Sequence, residues 1–164
     1  MTTPAPLHVD PWNPSDAADR AAVAAMVGHY HQQTESEKGA SAVELSDRYR
    51  AETEDPVTAF AGSTVLLARS LDRPLGMLVL SSTSPDWVEV KRLWVEPEAR
   101  GRGLAKHLLL EAASRATAAG EGLRLSVWEW RTTAIALYER LGFTHVPSWD
   151  SRAGLVCLER PADG

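Results

Sequence analysis

A chain of 164 residues is long enough for one domain with a real core, and a formal net charge of −5 argues against a general nucleic-acid binder, whose footprint would be basic. Hydrophobic residues at 44% and charged residues at 24% are ordinary for a globular protein, and no apolar run approaches the length of a membrane span. Met1-Thr2-Thr3-Pro4-Ala5-Pro6 lacks a signal-peptide pattern and the lone Cys157 suits a reducing compartment, so a cytoplasmic protein with no membrane and no nucleic-acid partner is expected.

Leu7-His8-Val9 suits a short first strand, stopped by Pro11 and Pro14. Ser15 is a good N-cap for a helix through Ala18, Ala22 and Met26 to Tyr30. His29 and His31, two apart, would not share a helix face, and the other histidines lack ligand spacing, so no metal is expected. A polar segment from His31 to Ser41 follows, then a shorter helix from Val43 to Ala51. Thr64 to Arg69 reads as an aliphatic strand, Asp72-Arg73-Pro74 as a turn, and Leu75 to Ser81 as the hairpin partner. Trp87 to Val95 forms the next strand.

A helix opening at Leu104 places Leu104, Leu108 and Ala112 at spacing four, with Glu111 supporting Arg115 outside, and Gly120 and Gly122 end it. Leu123 to Trp128 is then a strand parallel to the Trp87 strand, because the helix carries the chain back over. Thr132 or Thr133 begins a short helix through Ile135, Leu137, Tyr138 and Leu141, ended by Gly142. Residues 143–146 and 154–159 close the chain as two strands. The expected fold is α/β: a mixed, mostly antiparallel sheet of about seven strands, helices on both faces and a central β-α-β crossover, in a single domain over 1–164.

The densest information lies between the Trp87 strand and the following helix, in Arg100-Gly101-Arg102-Gly103-Leu104-Ala105. Pro97 breaks the strand and two glycines free the backbone where a helix must begin. Orphan amides and the positive end of the macrodipole favour an anion there, and Arg100 and Arg102 add charge suited to phosphate oxygens. A P-loop is excluded, because the turn runs into Lys106-His107 with no hydroxyl. A dinucleotide fingerprint fits poorly, with Lys106 where a third small residue belongs. Taken alone, the stretch suits an ordinary strand-to-helix turn as well as a site.

Two signatures together break that tie. Arg100-x-x-Gly103-x-Ala105 resembles the acetyl-coenzyme A motif of the Gcn5-related N-acetyltransferase (GNAT) family, and Ala134-x-x-Leu137-Tyr138-x-x-x-Gly142-Phe143 resembles that family's second signature in order and spacing. Glu89-Val90-Lys91-Arg92-Leu93-Trp94-Val95-x-Pro97 is similar to the strand that precedes the cradle. The resemblance covers the cofactor-motif region 87–146 and implies the acyl-coenzyme A N-acyltransferase fold.

The resemblance implies acetyl-CoA as co-substrate, its pyrophosphate on the amides of Gly101, Arg102, Gly103, Leu104 and Ala105 with Lys106 adjoining. It implies a pantetheine arm paired with the main chain of Leu93, Trp94 and Val95, which also supplies an oxyanion donor at Trp94 or Val95. Arg131 stands where relatives commonly carry asparagine, before Ala134 in the cofactor segment, and its charge and length put the usual side-chain bridge in doubt. Transfer proceeds by direct attack of a neutral amine on the thioester in a ternary complex. Tyr138 occupies the family's general-acid position, since a phenol stays protonated at neutral pH; outside that setting it reads as a core tyrosine.

Glu89 matches a position often used for the base; an ion pair with Lys91 on the same strand face is the equal alternative. Glu129 is a second base candidate, and Trp128 and Trp130 are candidate walls of the acceptor site or simple core closure. Cys157 reads as structural. The acceptor is a primary amine of a small molecule or a protein, its identity shaped in the family by residues 29–47 and the hairpin around Trp149. Glu35, Glu37 and Glu44 give that region a lean towards cationic amines. A homodimer is common among such relatives. The competing class is a non-catalytic acyl-CoA-binding or sensing domain, against which Tyr138 weighs.

Overall fold

The computed structural model describes residues 6–38, 47–150 and 152–162. Strand β1 (Leu7–Pro11) is followed by helices α1 (Ala17–Glu37), α2 (Asp47–Glu54) and α3 (Pro56–Ala59). Then come β2 (Thr64–Ser70), β3 (Arg73–Ser84), β4 (Trp87–Val95), α4 (Leu104–Ala118), β5 (Gly122–Trp128), α5 (Thr132–Arg140), β6 (Thr144–Val146) and β7 (Leu155–Arg160). The strands form one seven-stranded sheet in the order β1-β2-β3-β4-β5-β7-β6. Pairing is antiparallel for β1 with β2, β5 with β7 and β6 with β7. It is parallel for β4 with β5, where Trp87, Val88 and Glu89 face Gly122, Leu123 and Arg124. This is the expected mixed, mostly antiparallel fold with its β-α-β crossover. No helix among the described residues is long and apolar enough to cross a membrane.

The chain packs as two compact units, one taking the chain up to Val79 with Arg92–Leu108, the other Leu80–Lys91 with the chain from Leu109 onward. In the first, α1 lays Val23, Met26 and Val27 against Val65 and Leu67 of β2, Met77 and Val79 of β3, Trp94 of β4 and Phe60. The N-cap is Asp16, one residue after the expected Ser15, because its carboxylate accepts from the Ala18 amide at 2.9 Å. α1 also runs to Glu37, through the segment that reads as polar. Its inner stripe includes Asp19, His31 and Thr34, whereas the expected Ala18 is exposed. Asp19 tolerates burial because Arg69 donates to both its oxygens at 2.9 Å. Those hydrogen bonds, joined by one from the Asn13 amide, outweigh desolvation and hold its carboxyl below the usual range.

The expected helix start at Val43 lies outside the described residues. The short α3 was not expected; Asp55 caps it and Pro56 opens it. The β2–β3 turn falls on Leu71 and Asp72, one residue early, with φ +50° and +63° at the two central positions, as a two-residue hairpin loop requires.

In the second unit, α4 buries Leu109, Ala112, Ala113 and Ala116, and the expected Glu111–Arg115 pair forms at 3.0 Å. Gly120 ends the helix region at φ +74°, but Gly122 is already the first residue of β5. A Cβ there would lie 2.5 Å from the Trp87 ring and 2.9 Å from the Arg160 carbonyl, so only glycine fits. β5 and β7 bury Leu123, Leu125, Val127, Cys157 and Leu158. Arg124 sits over the Trp87 ring at 5.5 Å and the Trp149 ring at 4.1 Å while bonding Glu159 at 2.8 Å.

Candidate active site

In the first unit, β4 is anchored at its end by the Glu96 amide donating to the Leu75 carbonyl at 2.8 Å, and a single 3-10 turn over Pro97–Ala99 follows. Gly101 and Gly103 then take φ +84° and +78°, which side-chain-bearing residues adopt only with strain. The first bond of α4 runs from the His107 amide to the Gly103 carbonyl at 3.0 Å, so the amides just before it have no intrahelical acceptor. Nothing lies within 4 Å of where a Cβ would stand at either glycine. Gly62 and Gly120 share that openness as plain surface turns; here it coincides with a helix start and with exposed Arg102 and Lys106. A phosphate-bearing ligand fits this donor set.

Arg100 is tied back to the strand it follows. Its Nε donates to the Val95 carbonyl at 3.0 Å, Nη2 to Gln33 at 3.3 Å, and its guanidinium lies 4.9 Å from the Trp94 ring centre. Leu93 and Val95 are half-buried and Trp94 is buried. Its indole Nε1 has no hydrogen-bond partner among the described residues. His29 stands beside it, ring centres 6.2 Å apart, with Nδ1 3.1 Å from Glu96 Oε1.

β4 also holds a feature the sequence did not disclose: Arg92 has φ +55°. Arg92 Nε and Nη2 donate to the two oxygens of Glu52 at 2.8 Å each, and His31 Nε2 lies 2.7 Å from Glu52 Oε1. Burial alone would raise the Glu52 carboxyl, but the hydrogen bonds from Arg92 and His31 prevail and bring it down to about 2. Desolvation opposes the Arg92 charge, yet the same carboxylate lifts its pKa above the ordinary value. The one clue in the sequence was His31, four residues after buried Val27 on the helix stripe.

In the second unit, Tyr138 is buried with its ring 5.7 Å from that of Phe143. Glu89 pairs with Lys91 at 3.4 Å, so the ion-pair alternative is realised in the structure. Trp128 and Trp130 stack at 4.9 Å and 9°, with Trp130 exposed. The Glu129 amide bonds the Gly154 carbonyl at 2.9 Å. Arg131 forms the N-cap position of α5 without a side-chain cap bond, and Ala134 is half-buried in its first turn. Cys157 is buried, its sulfur 3.6 Å from Ser148 Oγ. No cluster of metal-binding side chains occurs among the described residues.

The acetyltransferase (GNAT) family model matches residues 26–143, most of the chain and both signatures. The chain belongs to the GNAT family. It is 33% identical over 101 residues to the peptidyl-lysine N-acetyltransferase YjaB of Salmonella typhimurium, covering 60% of this chain and 63% of that protein. The match thus spans somewhat under two thirds of that relative's length. Among solved structures, the PaiA N-acetyltransferase of Thermoplasma acidophilum in complex with coenzyme A superposes with a TM-score of 0.71 at 17% identity, over 95% of this chain and 99% of that one. YncA of Salmonella typhimurium with its cofactor acetyl-CoA gives 0.68 at 19% identity, over 96% and 94%. At these identities the two likenesses speak for the fold.

Proposed function

We propose that this GNAT chain transfers acetyl from acetyl-CoA to a primary amine of a small molecule or protein, by direct attack in a ternary complex. The observation that carries the reading is the left-handed Gly101/Gly103 turn opening α4, with free space at both glycines and a family signature across it. Amides from Gly101 to Lys106 would hold the pyrophosphate, and Arg102 and Lys106 would add charge. Arg100 would act chiefly by bracing the end of β4, to which it is bonded. The main chain of Leu93, Trp94 and Val95 would pair with the pantetheine arm and supply an oxyanion donor. Arg131 and Ala134 would complete the cofactor contacts.

Acetyl-CoA supplies an acetyl group on a good leaving thiolate. The chain's part is proton handling. Tyr138 gives its phenolic proton to the departing sulfur, and Glu89 takes one from the attacking ammonium, either directly or through water. For that, the carboxylate must exchange Lys91 for the amine. The peptidyl-lysine acceptor named for YjaB makes a lysine amine one candidate substrate.

The test is titration calorimetry with acetyl-CoA, followed by release of free thiol across a panel of primary amines and lysine peptides. Saturable binding with amine-dependent thiol release is expected. Binding without release for any amine would favour a sensing domain instead.

A further inference from the structure

A residue other than glycine at φ +55° in the middle of a strand, outside any turn, is strained and persists only where its surroundings hold it. At Arg92 the holding groups are visible. Both guanidinium donors meet both oxygens of Glu52, and the rings of Tyr30 and Tyr49 flank the guanidinium at 5.8 and 5.4 Å. The Glu52 carboxylate is fixed in turn by His31, whose ring stacks on Tyr49 at 4.1 Å and 16°. Glu52 is 5% exposed and His31 1%, so the network is dry and geometrically constrained. A buried ion pair is weak evidence of net stabilisation, since two hydrophobic residues often serve as well. This one grips the only residue of β4 with positive φ, directly before Leu93-Trp94-Val95.

We propose that Glu52 is a positioning residue: its bidentate hold on Arg92, with His31 steadying the carboxylate, sets the backbone turn that aims the main chain of Leu93–Val95 at the acyl donor. The inference rests on the reading of that strand end as the thioester's seat. Arg92 and His31 act through the same device and need not touch substrate.

The test compares Glu52→Gln with the double variant Glu52→Gln/Arg92→Gly, because glycine takes a positive φ with no partner. Three readouts are taken: kcat with KM for acetyl-CoA, the binding constant for coenzyme A, and the backbone carbon chemical shifts at position 92 by NMR. Glu52→Gln should lower kcat at least ten-fold, and its Arg92 shifts should leave the left-handed range. The double variant should recover kcat to within about three-fold of wild type, a rescue that loss of a merely stabilising ion pair would not give.

Unchanged kcat and unchanged Arg92 shifts in folded Glu52→Gln would overturn the proposal, as would a folded double variant as slow as the single one. Should Glu52→Gln fail to fold, the double variant decides alone, by keeping or losing kcat. A wild-type chain that neither binds coenzyme A nor releases thiol would refute the reading of the site. The Arg92 shifts would then still decide whether Glu52 governs the backbone.

Discussion

Two stretches near the middle of the chain adopt the same unusual backbone by opposite means. At Gly101 and Gly103 the left-handed conformation costs little, because no side chain is present and open space surrounds the turn. At Arg92 it is carried by a long charged side chain, and a buried carboxylate, an imidazole and two phenol rings hold it in place. The glycine turn leaves the amides of Leu104, Ala105 and Lys106 without an intrahelical acceptor. The arginine kink spends Nε and Nη2 of its guanidinium on a carboxylate of the protein itself. A left-handed residue therefore keeps donors open to a ligand only where its neighbours are unspent.

The sharpest way to break this contrast is Gly103→Val. A β-branched side chain at φ +78° should remove measurable coenzyme A binding by calorimetry while the melting temperature falls by a few degrees only. Normal affinity would end the cradle reading. At the other stretch, Glu52→Gln should cost about 3 kcal/mol in denaturant unfolding, since it leaves a buried guanidinium half-paired.

The same carboxyl makes a pH prediction. Its folded pKa is lowered from 4.5 to about 2, so its contribution is complete above about pH 4.5 and fades as pH falls towards 2. Glu52→Gln should flatten that part of the stability curve, and an equally steep acid limb in the variant would remove Glu52 as its source.

Tyr138→Phe tests a residue whose setting, not its backbone, assigns the role. A ten-fold or greater fall in kcat with coenzyme A affinity intact is expected, and unchanged turnover would strike the phenol from the mechanism. The smallest effect belongs to a third left-handed stretch, Leu71 and Asp72, a hairpin turn with neither glycine nor a grip; Leu71 is 81% exposed. Replacing the two by Asn-Gly should raise stability by about 0.5–1 kcal/mol in urea unfolding, with no change in activity.

What could be read from the sequence follows the same division. The strand Trp87–Val95, the opening of α4 at Leu104 and the end of α5 at Gly142 were legible because aliphatic runs and glycines act locally. The true extent of α1 was hidden, since Asp19, His31 and Thr34 occupy its inner stripe and the first two find their hydrogen-bond partners far away in the sequence. Arg69 lies 50 positions from Asp19, and Glu52 lies 21 from His31 and 40 from Arg92. No window of local periodicity spans such distances. Within the candidate site, the turn at Gly101 and Gly103 was visible as a pair of glycines before a helix, whereas the kink at Arg92 looks in the sequence like any polar strand residue. Lys91 beside Glu89 was visible two positions away, and that pair forms.

The tryptophan at position 87 presses on the first residue of β5 so closely that a single methyl group at Gly122 would collide with it. Exchanging the indole for something slimmer would open only one side, because the Arg160 carbonyl stands 2.9 Å from the same point and belongs to the main chain. An alanine at 122 therefore demands two concessions at once, a smaller neighbour at 87 and a shifted backbone at 160. Homologous chains should keep glycine at 122 even where the residue at 87 has changed.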